Sequence, residues 1–219
     1  MSWLKILIIR HGMSLGNQAG RMMGQLDDAL SPEGERQAQQ LAAYLVQYAG
    51  RPTALYSSPL ERAAQTAACL AEQLNMTVTY HGGLKELHGG IFQGLTWAEA
   101  KQRYPQKCKQ LESSLGWIPV PEAESPQDGY QRAIHVLREL TSRHANGDDI
   151  WVVSHAGLMQ HLISALLGSD RSWGMAIAHT SMFEFWIDHD RWSDHGPDRW
   201  NTERWKIRRF NDTEHLDQR

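Results

Sequence analysis

Cysteine is nearly missing: Cys69 and Cys108 are the only two in 219 residues. Two thiols in a chain this long build no disulfide framework. Cys69 lies in an alanine-rich helical stretch and reads as a small core residue. Long apolar runs are missing too. The first, "WLKILIIR", is too short to span a bilayer, ends in charge, and is followed by no small-residue cleavage site. The expectation is a cytoplasmic, reduced protein with no membrane contact. An excess of charge is also lacking, with 22 Lys and Arg against 25 Asp and Glu, a net charge of -3. No basic field recommends a nucleic acid or an acidic lipid surface as partner. There is no internal repeat and no low-complexity tract.

What is present is a globular composition, 41% hydrophobic and 21% charged. The length suits one domain over residues 1–219 with a sizeable core. Leu4–Ile9 is an almost continuous apolar run of strand length. "LSPEGERQAQQLAAYLVQYAG" places Ala38, Leu41, Ala42, Leu45 and Val46 at helical spacing, with Ser31 as cap, Pro32 in the first turn and Gly50 as stop. The alternation recurs: "TALYSS" as strand, then "SPLERAAQTAACLAEQL" as helix, with Ser58 as N-cap and Glu61 completing a capping box. "MTVTYH" follows as strand, "SPQDGYQRAIHVLRELTSRH" as helix, "DIWVVS" as strand and "HAGLMQHLISALLG" as helix ended by Gly168. "SMFEFWID" and "RWKIRRF" read as a closing antiparallel pair. The expected fold is α/β, a three-layer α/β/α sandwich on a mainly parallel sheet. Residues 91–124 interrupt the alternation and read as a small helical lid insertion. "DHDRWSDHGPDRWNTERW" reads as a mobile polar loop.

Three segments end alike. "LIIRHG" delivers Arg10 and His11 to Gly12, "ALYSSPLER" places Arg62 in the first turn of a helix, and "WVVSHAG" delivers His155 to another helix start. The carboxyl ends of parallel strands form the ligand crevice of such a sheet, and helix N-termini there favour anions. Two histidines and two arginines would meet on that edge. A metal site built on His11, His155 and a carboxylate is one reading, but the fixed arginine cations would repel the metal. The same arginines grip a phosphate in bidentate fashion, with a nucleophilic histidine beside it.

Arg10-His11-Gly12 with Asn17 after it, "SSPLERAAQTA", "LKELHGGIFQGLTW" and "SHAG", in this order, resemble the histidine phosphatase superfamily, also called phosphoglycerate mutase-like. The resemblance spans about Ile6 to Gly168 and continues weakly into "FNDTEHL". It implies that His11 is the nucleophile that becomes phosphohistidine. Arg10, Arg62 and His155 would hold the phosphoryl oxygens, Asn17 would donate a further hydrogen bond, and Glu86 would be the general acid and base. A phosphoryl transfer state spreads charge over three oxygens, so placed cations do most of the work, and no metal or other cofactor is expected. The attacking imidazole must be neutral, with its second nitrogen bound to a fixed acceptor, a backbone carbonyl being the expected one.

Met13 stands where many relatives carry Glu or Gln, and it bears on specificity rather than chemistry. His88, two residues past Glu86, either tunes Glu86 or lies outside the site. The remaining histidines, His179 among them, read as surface or core, the charges of Lys101, Arg103, Lys107 and Lys109 as a solvated face, and the late tryptophans as packing. The implied partner is a small phosphomonoester and the implied reaction its hydrolysis. One alternative is a bisphosphate-dependent phosphoglycerate mutase. Against it stand the modest distance in sequence between Glu86 and His155 and the lack of the mutase glycine- and arginine-rich signature after the acid. The other alternative is a phosphate-binding regulatory protein without turnover.

Overall fold

The computed structural model describes residues 2–171, 174–192 and 201–217. Its centre is a six-stranded sheet in the order β3-β2-β4-β1-β5-β6. The strands are β1 (Leu4–Arg10), β2 (Ala54–Ser57), β3 (Val78–Tyr80), β4 (Asp149–Ser154), β5 (Met182–Ile187) and β6 (Trp205–Asp212). The first four in chain order are mutually parallel where they pair; β5 runs antiparallel to β1, and β6 antiparallel to β5. The mainly parallel sheet and the closing antiparallel pair thus appear as expected.

The continuous apolar character of β1 follows from burial on both faces. Leu4, Ile6 and Ile8 enter one core, beneath α6 (Pro126–Arg143) and α7 (Ala156–Leu166). Leu7 and Ile9 enter the other, beneath α2 (Pro32–Tyr48) and α3 (Glu61–Leu74). β4 alternates in the same way, with Ile150 and Val152 on the first face and Trp151 and Val153 on the second. These are the three layers. Val46 is the one member of the α2 stripe that misses the core, at 42% exposure.

Helix starts follow their caps. Ser31 Oγ accepts the Gly34 N–H, with Pro32 at the first position, and Ser125 with Asp128 forms a capping box for α6. The capping box expected at Ser58 is not there. α3 begins at Glu61, its cap position is Leu60, and no side chain caps it. The Ser58 hydroxyl accepts the Leu60 N–H at 3.2 Å and lies 2.8 Å from His155 Nε2, so it serves the strand-end cluster instead.

Residues 91–124 hold α4 (Trp97–Arg103) and α5 (Pro105–Ser113), packed on a small core of Phe92, Ala100 and Cys108. The insertion returns to the body through a bridge between Gly89 and Ala123. The polar stretch at 188–205 lies partly outside the described residues, as do Trp173, Trp200 and His195. Trp192 and Trp205 pack against the core. Trp186 instead faces Trp3 and carries the Lys5 ammonium and the Arg208 guanidinium over its ring.

Candidate active site

Because β1 and β4 are adjacent and parallel, with Arg10 opposite Ser154, the residues that follow them emerge side by side. The rings of His11 and His155 lie with centroids 4.9 Å apart. Both are buried, at 3% and 0% exposure. His11 Nδ1 lies 2.6 Å from the carbonyl oxygen of Gly12. A carbonyl only accepts, which assigns the proton to Nδ1 and leaves Nε2 with its lone pair free. Burial holds the His11 imidazole well below its ordinary pKa, helped by His155, Arg10 and Arg62. It is neutral, as an attacking nitrogen must be.

The glycine after His11 has a steric cause. A Cβ on Gly12 would meet the Gly34 carbonyl oxygen at 2.6 Å, and one on Gly34 would meet the Met13 carbonyl oxygen at 2.0 Å. The turn that ends β1 is pressed against the first turn of α2, and both contacting positions lack a side chain. Met13 is held there by its backbone: its N–H donates to Gln37 Oε1 and its carbonyl accepts from Ser31 N and Oγ.

Arg62 is 2% exposed. Its guanidinium donates to the carbonyls of Gly24 and Leu26 at 2.8 and 2.9 Å and to Asp28 Oδ1 at 2.9 Å. The loop at 24–28 therefore fixes the fork. Arg10 donates to the Ile177 carbonyl, while its Nε has no partner among the described residues. Burial pulls its pKa down to about 10, opposed by Glu86 and aided by Arg62, so it stays cationic at neutral pH. His155 Nδ1 is likewise buried and without a partner among the described residues. Burial, then Arg62, Arg10 and Arg132, hold that imidazole well below its ordinary pKa.

Glu86 closes the cluster from the side. Its Oε1 accepts the N–H groups of Leu87 and Leu158 at 2.8 and 3.0 Å, and Oε2 accepts that of Gly157 at 3.1 Å. The carboxyl group thus sits on the open N-terminus of α7, where orphan N–H donors favour an acidic group. A Cβ on Gly157 would meet Oε1 at 2.4 Å, so this approach needs glycine. His88 does not touch that carboxyl group. Its Nδ1 lies 2.8 Å from the Glu122 carbonyl and its Nε2 3.0 Å from Gln93 Nε2, at the base of the insertion.

Asn17 shares a capping box with Ser14 on the short helix α1 (Leu15–Gln18). Its Oδ1 also lies 3.2 Å from His179 Nε2. His179, expected from the sequence to be a surface or core residue, has its ring centroid 6.1 Å from that of His11. Burial, then Arg10, lowers its pKa to about 4. The next residue, Thr180, donates its N–H to the His11 carbonyl at 3.3 Å. Thr180 has φ +54°, costly for a β-branched residue, and its hydroxyl lies 2.8 Å from Nε2 of the buried His215. The signal for His179 was topological. β5 runs against β1, so the segment that precedes β5 arrives at the edge where the parallel strands end. Among the described residues, no group of three or more His, Cys, Asp or Glu side chains is placed to hold a metal ion.

A family model, the histidine phosphatase superfamily (branch 1), matches residues 6–198. The chain is 33% identical over 169 residues to phosphoserine phosphatase 1 of Hydrogenobacter thermophilus, covering 77% of this chain and 79% of that protein. It is 29% identical over 216 residues to a probable phosphoglycerate mutase of Yersinia pestis, covering 98% and 95%. The crystal structure of a phosphoserine phosphatase from Entamoeba histolytica, in complex with 3-phosphoglyceric acid, superposes with a TM-score of 0.76 at 26% identity, covering 97% and 99%. Two buried histidines with Arg10 and Arg62 near the carboxyl edge of this sheet, and a family match over residues 6–198, place the chain in the histidine phosphatase superfamily.

Proposed function

We propose that this phosphoric monoester hydrolase passes the phosphoryl group of a small phosphomonoester to His11 and then to water. His11 Nε2 attacks phosphorus, the P–O ester bond breaks, and the leaving oxygen takes a proton from the Glu86 carboxyl group. Water then attacks the phosphohistidine and gives its proton back to Glu86, and the P–N bond breaks to release phosphate and neutral His11. Arg10, Arg62 and His155 Nδ1 hold the three spectator oxygens, and Asn17 donates a fourth contact. Glu86 Oε2 has a single N–H donor and keeps room for the leaving oxygen.

The observation that carries this reading is the bond between His11 Nδ1 and its own following carbonyl. It presents Nε2 unprotonated, within a buried pocket whose fixed charges are positive. The insertion at 91–124 acts as the lid of one domain, and small phosphorylated acids are the substrate class, in keeping with the relatives' names. The two free thiols suit the cytoplasm; no described helix is long and apolar enough to cross a membrane.

The test is phosphate release from a panel that includes phosphoserine and 3-phosphoglycerate, in the presence of EDTA, by wild type and His11→Ala. Release that His11→Ala abolishes, with an acid-labile and base-stable phosphoryl label trapped on the wild type, is the expected result. Isomerisation of 3-phosphoglycerate that needs an added bisphosphate would replace hydrolysis by mutase chemistry.

A further inference from the structure

Arg132, on α6, lies outside the phosphate pocket, yet three of its guanidinium N–H groups go to the segment that bears Glu86 and the other two to Glu124. NH1 donates to the carbonyls of Gly83 and Lys85 at 2.9 and 2.6 Å. NH2 donates to the Glu86 carbonyl at 3.3 Å and to Glu124 Oε2 at 2.8 Å, and Nε donates to Glu124 Oε1 at 2.9 Å. Five donors meet five acceptors, so the fork is geometrically determined. The Arg132 and Glu124 side chains are only 20% and 21% exposed.

Glu124 extends the clamp. Its Oε2 also accepts the His88 N–H at 2.6 Å and lies 3.3 Å from Gln25 Nε2. That same amide nitrogen donates to the Glu86 carbonyl at 3.0 Å. The backbone on both sides of Glu86 is therefore held by one ion pair, and the Glu86 carbonyl receives two side-chain donors. Glu124 is the last residue of the insertion, and Gln25 belongs to the loop that fixes Arg62. The acid, the insertion and the phosphate-gripping arginine share one set of bonds.

We propose that the Arg132–Glu124 pair is a positioning device for the proton donor. It fixes the Glu86 segment so that the carboxyl group meets the leaving oxygen. This rests on the role given to Glu86 above. The pair touches no reacting atom, so its loss should leave phosphate binding in place and weaken only the delivery of the proton. That separates it from a merely structural pair. An alkyl ester such as phosphoserine needs a proton on its leaving oxygen. An aryl ester such as p-nitrophenyl phosphate expels an anion stable enough to leave without one. The value of kcat/KM covers the steps up to loss of the leaving group, which is where the two substrates differ.

The experiment compares kcat/KM for phosphoserine and p-nitrophenyl phosphate in wild type, Arg132→Lys, Arg132→Met and Glu124→Gln, with Glu86→Gln as benchmark and vanadate affinity as a check on the pocket. Arg132→Met is expected to lose about 10²-fold on the alkyl ester and only a few-fold on the aryl ester, in the pattern of Glu86→Gln, with vanadate bound as in wild type. Arg132→Lys keeps the charge without the fork and should show the same pattern at smaller amplitude, as should Glu124→Gln. These milder variants decide the matter if Arg132→Met fails to fold. Equal losses on both esters, or no loss, would overturn the positioning role while hydrolysis by wild type stands. A wild type inactive on both esters and on the wider panel would instead sink the phosphatase reading, and this role with it.

Discussion

Asn17 Oδ1 receives the Ser14 N–H at 3.3 Å and faces His179 Nε2 at 3.2 Å. An amide oxygen has two lone pairs, and both are taken if His179 carries its proton on Nε2. The Asn17 NH2 group is then the end left to donate, and phosphate is the acceptor at hand. His179→Ala should raise the dissociation constant of inorganic phosphate about fivefold, near the 1 kcal/mol worth of one neutral hydrogen bond. Titration calorimetry reads this directly, and an unchanged constant would return His179 to a packing role.

Several imidazoles are buried uncharged, and the sign of the resulting pH dependence is fixed. Burial holds His11 and His155 well below the ordinary value, and brings His179 and His215 down to about 4. The unfolded chain binds these protons more readily than the native one, so stability falls as pH falls. The contribution is complete above about 6.5, the unfolded value, and drains away towards about 4 for His179 and His215. The melting temperature should therefore drop between pH 7.5 and 5. His215→Gln should show a shallower drop, since it has one such imidazole fewer. Equal slopes for wild type and His215→Gln would contradict the neutral state of that ring.

Asp28 holds the Arg62 guanidinium in place. Its Oδ1 pairs with Arg62 and its Oδ2 accepts the Gly16 N–H at 2.8 Å. The pair is almost dry, at 2% and 10% side-chain exposure. Asp28→Asn leaves a buried guanidinium short of its counter-ion and should cost about 3 kcal/mol in urea denaturation. Added phosphate should recover more stability in this variant than in wild type, because it supplies the missing anion. Recovery equal to that of wild type would show that Arg62 does not meet the phosphate.

Gly157→Ala is expected to separate stability from activity. Gly157 is the second residue of α7, and the helix preference of alanine over glycine offsets part of what α7 loses when the carboxyl group leaves its N-terminus, so the melting temperature should fall by only a few degrees. The new methyl group would meet Glu86 Oε1 at 2.4 Å, and the carboxyl group must leave the end of α7. A fall in kcat/KM of about 10²-fold on an alkyl phosphate ester, with phosphate still bound, is the expected outcome. Full activity would place the working position of Glu86 elsewhere.

Much of this site could be read from the chain because its main parts sit at the ends of strongly patterned strands. The run before Arg10 and His11 and the run before His155 are buried on both faces, and parallel pairing in register carries those residues to one edge. Arg62 and Glu86 were found through motifs that the fold then set beside them. The residues missed were those whose role depends on a partner far away in sequence. Ser58 looked like a cap because serine before proline and glutamate usually is one, and only the arrival of His155 shows its other use. His179 precedes a strand whose direction no local pattern reveals, and Arg132 sits on an ordinary amphipathic helix. Their acceptors are carbonyls and amides of distant loops, which hydrophobic periodicity does not encode.

The strand order has a consequence for how the molecule comes to exist. β1 is made first but lies between β4 and β5, and β4 does not begin until Asp149. At usual rates of synthesis, about 5–20 residues per second, the nascent β1 waits on the order of ten seconds for a neighbour. Until then one of the most apolar stretches of the chain has an unpaired backbone. Its pairings are among the longest-range in the sheet, which marks them as late and slow to close. His11 thus follows a strand that an unfinished chain must shield from aggregation, and ribosome-bound lengths ending before Asp149 should be the ones that depend on a chaperone.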